Sequence, residues 1–228
     1  MRIKAAMRGL ALASALAMFI GGCGGSDAYH RDVAGSATTD SVEPFVSLMT
    51  RGVDVDYDPL ATPADAVQAG DLIVEGTVAG VTEGVSLEFA DPLYTQRWSE
   101  SYATLVIAVE QVISGDTDQV HNGKVFVQVL KNRAASPGDL AATSKDAQVV
   151  AVLDNLEGWS PAAGVDVVRP GTVPPAATLL AAYTDGLWLQ GPADEVMYGI
   201  GVEPAELGPA WGGADTVAEY AAKVRQAA

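Results

Sequence analysis

The chain has 228 residues, about half of them apolar, with 29 acidic and 13 basic side chains and a formal charge of −16. That apolar content excludes wholesale disorder, and the acidity argues against nucleic acid or anionic lipid headgroups as targets of the body, because such a surface repels phosphate. A single cysteine, Cys23, excludes an intrachain disulfide, so burial alone must hold the fold.

Arg2, Lys4 and Arg8 make a basic start, with no acidic residue before Cys23. Gly9 to Ile20 is uncharged and mostly apolar, and at about 12 residues it falls short of the roughly 20 that span a bilayer as a helix. Two small residues, Gly21 and Gly22, then precede Cys23. The run Ile20-Gly21-Gly22-Cys23 resembles the lipobox of bacterial lipoproteins: an aliphatic residue, two small ones and a cysteine. The resemblance implies that residues 1–22 are a signal peptide. It also implies that the Cys23 sulfur carries a diacylglyceryl group with palmitate-like chains, and that Cys23 begins the mature protein. The expected location is the extracytoplasmic face of the cell membrane, held by the lipid. Two acyl chains, at about 0.8 kcal/mol per buried methylene, anchor stably where one holds only marginally. The 206 residues from Cys23 onward keep ten basic and all 29 acidic side chains, a formal charge of −19. With Cys23 used as the anchor, the body has no thiol for catalysis or metal binding.

Residues 23–41 are rich in Gly, Ser, Ala, Thr and Asp and are expected to be a flexible tether. His30 lies in it and is expected to be solvated. Residues 42–228 are expected to form a single mainly-β domain. Val42 to Thr50 reads as a short helix or an extended arm. Gly52 to Asp58 alternates apolar and acidic residues, the two-residue period of a half-buried strand, which Pro59 would end.

Thr62-Pro63-Ala64-Asp65 opens a short helix ended by Gly70. A strand follows from Asp71 to Val81. Leu72, Val74 and Val78 share one face, and Gly76 and Gly80 sit on that face as bulge or bend positions. Glu83 to Ser99 reads as an irregular excursion. Tyr102 to Ile113 is apolar on both faces and reads as a central strand. A turn at Ser114-Gly115-Asp116 leads into a strand from Val120 to Leu130, with Val125, Val127 and Val129 on one side. Asn132 to Asp146 reads as a loop with room for one helical turn, and Gln148 to Leu153 as a buried strand. Asn155 to Pro175 reads as a long surface loop and Ala176 to Tyr183 as a short helix. Asp185-Gly186 is a turn signal before a hairpin of Leu187–Gln190 with Val196–Ile200. Thr216-Val217-Ala218-Glu219 is a capping box for a C-terminal helix over about 215–227, with Val217, Tyr220, Ala221 and Val224 as its apolar stripe.

The barrel core, about 66–200, resembles the OB-like β-barrels of the tissue-inhibitor or netrin type found in exported bacterial proteins. The likeness rests on a short helix before Asp71-Leu72-Ile73-Val74-Glu75-Gly76-Thr77-Val78, then the long strand ending Val109-Glu110-Gln111-Val112-Ile113-Ser114-Gly115-Asp116. Strands at Val125 and Val149 and a final glycine-framed hairpin complete it. It implies a binding surface on a sheet face or in loops, and no catalytic residue or cofactor.

The chain carries no GxSxG, phosphate-loop, HExxH or GxGxxG motif. His121, beside Asn122-Gly123, reads as an exposed turn residue. Asp54, Asp56 and Asp58, with Asp65 eleven residues after Asp54, are metal candidates at a calcium-like spacing, although Pro59 stands where such a loop needs glycine. Asp154, Glu157 and Asp166 are the candidates for a carboxylate pair. Trp98 and Trp159 lie in irregular segments and are the candidates for ligand or partner contact; the plainer role for them is to pin the long loops. Trp188 is expected in the core. The expected function is a non-enzymatic, lipid-anchored envelope lipoprotein that binds a protein or small ligand. The alternatives are an envelope hydrolase using acidic-loop carboxylates and a calcium-binding surface protein. The solute receptor of a transporter is a weaker candidate, because the chain lacks alternating long helices.

Overall fold

The computed structural model describes residues 40–49, 58–89, 102–160 and 164–228. Among these residues there are eight strands: β1 (Leu72–Glu83), β2 (Ser86–Phe89), β3 (Tyr102–Gly115), β4 (Lys124–Leu130), β5 (Gln148–Asn155), β6 (Val165–Val168), β7 (Leu179–Gln190) and β8 (Tyr198–Gly199). Four short helices accompany them: α1 (Glu43–Met49), α2 (Pro63–Ala69), α3 (Pro137–Thr143) and α4 (Val217–Ala227).

Five strands close into a barrel in the order β4-β3-β1-β5-β7, and β7 returns to β4. Every neighbouring pair is antiparallel except β4 with β7, which run parallel with Val127 opposite Leu180. Counting only barrel strands along the chain, the circuit runs first, second, third, fifth, fourth. With α3 between the third and fourth, this is an OB-like barrel. Closure bends the long strands. β1 shifts register against β3 between Ile73 and Val74, between Glu75 and Gly76, and between Val78 and Gly80, and such bulges add bend and twist. A Cβ on Gly76 would strike the Ala108 carbonyl, so the closest approach of β1 to β3 needs glycine.

The two-residue period divides two cores. Leu72, Val74, Leu105, Ile107, Val125, Val127, Val149, Ala151, Leu153, Leu180, Leu187 and Leu189 form the interior cluster, joined by Phe45 and Met49 of α1 and Leu140 of α3. The alternate residues Ile73, Val150, Val152 and Trp188 face outward and are covered by α2 and α4, with Trp211, Val217, Tyr220, Ala221 and Val224 buried among them. Three helices begin with complete capping boxes: Thr62 with Asp65, Ser136 with Asp139, and Thr216 with Glu219. Each cap contributes about 1 kcal/mol, which matters for helices of two or three turns.

Several expectations need correction. Ala176–Tyr183 is not a helix, because Leu179 onward belongs to β7. The Ala- and Leu-rich stretch has helical propensity, but pairing with both β4 and β5 closes the barrel and overrides it. Asp185-Gly186 is not a turn either. It lies inside β7 next to the register shift against β5 between Ala151 and Leu153. The hairpin of β7 with β8 exists, but it pairs only Trp188 with Gly199 and Leu189 with Tyr198. β4 begins at Lys124 rather than Val120, after a 3-10 turn at Thr117–Gln119 and a tight turn with Asn122 and Gly123 at positive φ. Residues 155–175 are not all loop, because they contain β6. Of the Gly52–Asp58 stretch, only Asp58 is described, and it lies outside any strand.

Candidate functional site

The first and second barrel strands are joined by residues 84–101, and the fourth and fifth by residues 156–178. In OB barrels these two connections flank the usual binding face. Here each contributes one strand to a separate two-stranded antiparallel ribbon, with Ser86 opposite Val168, Leu87 opposite Val167, Glu88 opposite Asp166 and Phe89 opposite Val165. The two loops that carry ligands in this fold class are thus zipped together.

A buried polar chain fixes the root of β2. The Val85 amide donates to Gln128 Oε1 at 2.9 Å, and Gln128 Nε2 donates to Thr104 Oγ1 at 3.0 Å. Thr104 Oγ1 in turn donates to the Glu83 carbonyl at 2.9 Å. Gln128 and Thr104 are both buried, so these bonds form in a low-dielectric setting where an unpaired partner would be costly. Gly84 allows the entry, since a Cβ there would lie 2.5 Å from the Tyr102 carbonyl carbon. The other side of the ribbon is held after β6. Arg169 Nη2 donates to the Pro174 carbonyl at 2.8 Å and to the Ala177 carbonyl. Val173 and Ala177 bury against Phe126, with Val106 and Leu179 alongside.

Arg169, Val173 and Ala177 pin the long loop, whereas the Trp159 side chain is 40% exposed. It stands one residue before Ser160, whose hydroxyl donates to the Val165 carbonyl at the start of β6. The ribbon has two distinct faces. Val165 is buried, and Leu87, Phe89 and Val167 are half-buried, on one face; Ser86, Glu88, Asp166 and Val168 are exposed on the other. Trp98 lies outside the described residues.

The nominated carboxylates do not act as one group. Asp154 is the penultimate residue of β5, on the outer face, Glu157 is exposed in the following turn, and Asp166 is on the ribbon. The electrostatic neighbour of Asp154 is instead Asp71, which sequence reading passed over as a strand start. Burial, and then the Asp71 charge, push the Asp154 carboxyl up to about 6. Asp71 Oδ2 accepts the Asn155 amide at 3.0 Å.

Asp54, Asp56, His30 and Cys23 lie outside the described residues. Asp58 is exposed, and its backbone carbonyl accepts the Tyr183 hydroxyl at 2.8 Å. Among the described residues no three His, Cys, Asp or Glu side chains gather as a metal-holding group. His121 shares a 3.0 Å contact between its Nε2 and Asn122 Nδ2 in an exposed turn.

Two further places draw the eye. A cleft of about 250 Å³ is lined by Asp146, Gln148, Gln190, Gly191, Pro192 and Asp194. Asp194 Oδ2 accepts the amides of Val42 and Gly191, so this carboxylate already ties α1 to the β7–β8 connection. Under α4, Asp185 Oδ2 accepts the Leu60 amide at 2.8 Å while Trp211 Nε1 donates to the Leu60 carbonyl at 2.8 Å. Trp211 stacks on Tyr220 with ring centroids 4.1 Å apart. Asp185 Oδ1 and Tyr220 Oη are buried without a hydrogen-bond partner, and burial raises the pKa of both groups. Trp188, Trp211 and Tyr220 are fully buried, so this knot fastens the chain and is closed to a ligand.

No protein family, curated protein or solved structure matches this chain. No helix among the described residues is long and apolar enough to cross a membrane.

Proposed function

We propose that the protein is an exported envelope lipoprotein, anchored through lipid on Cys23, whose barrel is a non-enzymatic binding module that takes its partner at the β2–β6 ribbon. The observation that carries the binding reading is the pairing of the two OB loops into a ribbon with an exposed polar face and an exposed tryptophan beside it. An exposed, rigid aromatic next to a fixed backbone is a recurrent anchor for protein contacts. The basic start, short apolar run and Ile20-Gly21-Gly22-Cys23 support the address. The charge of the body makes nucleic acid an unsuitable partner.

Two experiments test this. Cells fed an alkyne fatty acid should label the wild-type chain and fail to label Cys23→Ser, which should leave the membrane fraction. Cross-linking of the anchored protein in cells, read by mass spectrometry, should capture one dominant envelope partner with the wild type and lose it with Trp159→Ala. Unlabelled wild type would remove the address, and capture indifferent to Trp159 would remove the ribbon as the binding face.

A second reading, an envelope hydrolase, has one observation in its favour. Burial and the Asp71 charge push the Asp154 carboxyl up to about 6, and a carboxyl raised in this way can serve as a general acid in a hydrolase. Turnover of an envelope polymer, abolished by Asp154→Asn, would establish it.

A further inference from the structure

We propose that the β2–β6 ribbon accepts an extended segment of an envelope protein rich in lysine or arginine, added as a third strand along an open edge so that its cations complete a ladder with Glu88 and Asp166. This rests on the reading of the ribbon as the binding face and names the chemistry of the partner.

Three observations converge. Among the described residues neither β2 nor β6 pairs with any strand except the other, so each has an outer edge of backbone donors and acceptors. Such an edge is a template for strand addition. The charges that guard these two four-residue strands against indiscriminate pairing, Glu88 and Asp166, are both acidic, so the edge favours a basic strand over an acidic one.

The charge pattern selects the partner. Glu88 sits directly opposite Asp166, a like-charge cross-strand pair that weakens the ribbon by itself. Among the described residues neither carboxylate has a hydrogen bond or ion pair. Among the described residues, Arg169, which follows Val168, is engaged with the Pro174 and Ala177 carbonyls. A strand laid along the β6 edge brings one side chain opposite Asp166 on the exposed face, where a cation relieves the repulsion. Its alternate side chains turn to the other face, beside Val165 and Val167, which suits a strand of mixed basic and apolar residues. The same face repels an anionic membrane surface. Two carboxylates also supply too few oxygens for a calcium site, which takes six to eight.

The test titrates the isotope-labelled full chain, in nonionic detergent, with a synthetic peptide of alternating Lys and Val. A Glu–Val peptide and calcium chloride are titrated separately. Amide shifts should concentrate in Ser86–Phe89 and Val165–Val168, and affinity should fall as salt rises. Glu88→Lys restores an opposite-charge pair with Asp166, so it should fold at least as well as the wild type and bind the Lys–Val peptide several-fold more weakly. The double change of Glu88 and Asp166 to Lys should weaken it by at least about tenfold and create affinity for the Glu–Val peptide. Shifts spread evenly over the acidic surface, equal binding of both peptides, or the same shifts with calcium alone would overturn the proposal. If a partner captured in cells through Trp159 is indifferent to the double change, the ribbon remains the binding face and the basic-strand assignment falls. If no partner is captured at all, the binding reading itself falls.

Discussion

Replacing Asp154 with Asn should make the protein more stable at neutral pH and leave it unchanged in acid. The wild-type carboxyl is pushed from 3.8 up to about 6 by burial and by Asp71. A folded-state pKa above the unfolded value means the folded chain holds the proton more tightly. The resulting stabilisation is therefore fully present below about pH 4 and is lost as pH rises through 6. At 1.36 kcal/mol per pKa unit the shift corresponds to about 3 kcal/mol. The carboxyl is half-exposed, so solvent screening reduces this to about 1.5 kcal/mol. The isosteric amide cannot ionise, and it should keep that stability at every pH. Urea unfolding of both proteins from pH 4 to pH 8 measures the difference directly. The curves should coincide below about pH 4 and separate by about 1.5 kcal/mol by pH 8, with the change falling between about pH 4 and pH 6. A constant gap, or a variant less stable than wild type at pH 8, would refute the placement of Asp154 on a half-buried surface beside a second carboxylate.

The remaining predictions concern the barrel and the base of the ribbon. Gly76→Ala should cost about 1–3 kcal/mol, because its Cβ meets the Ala108 carbonyl, whereas Gly80→Ala, with open space around it, should be neutral to slightly stabilising in the same urea assay. Gln128→Leu leaves the Val85 amide and Thr104 hydroxyl short of a partner and should cost about 1–3 kcal/mol. Its sharper sign is faster hydrogen exchange at Ser86–Phe89 and Val165–Val168 than in the interior strands. Trp211→Ala removes the ring stacked on Tyr220 and the donor to Leu60, and should lower stability by about 3–5 kcal/mol by thermal or urea unfolding.

What could be read along the chain was what is local in cause. Thr62, Ser136 and Thr216 each stand three residues before a carboxylate that completes a cap, although the helix after Ser136 was expected only as a turn in a loop. Val125, Val127 and Val129 alternate into the core as their spacing required, and Trp188 is buried. What escaped depends on distant partners. Leu179 to Tyr183 has a helical composition and is a strand only because β4 and β5 lie on either side of it. β6 is four residues inside a Pro- and Gly-rich stretch, and its partner β2 lies nearly eighty residues earlier, so no periodicity announces it. Trp159 was recognisable as a contact candidate by its irregular surroundings, but the loop that frees it is pinned by Arg169, whose acceptors are backbone carbonyls with no sequence signature. Asp71 and Asp154 illustrate the same limit: each looks like a strand boundary, and they become a coupled pair only when β1 aligns with β5.

The most direct measurement is a photo-cross-linking scan of the anchored protein in cells, with the reactive side chain placed at Ser86, at Val168, at Glu110 on β3 and at Val196 before β8. All four positions are exposed. One shared partner should be captured from Ser86 and Val168 and none from Glu110 or Val196. Capture of that partner from Glu110 or Val196 instead would contradict the assignment of the ribbon as the surface this protein uses.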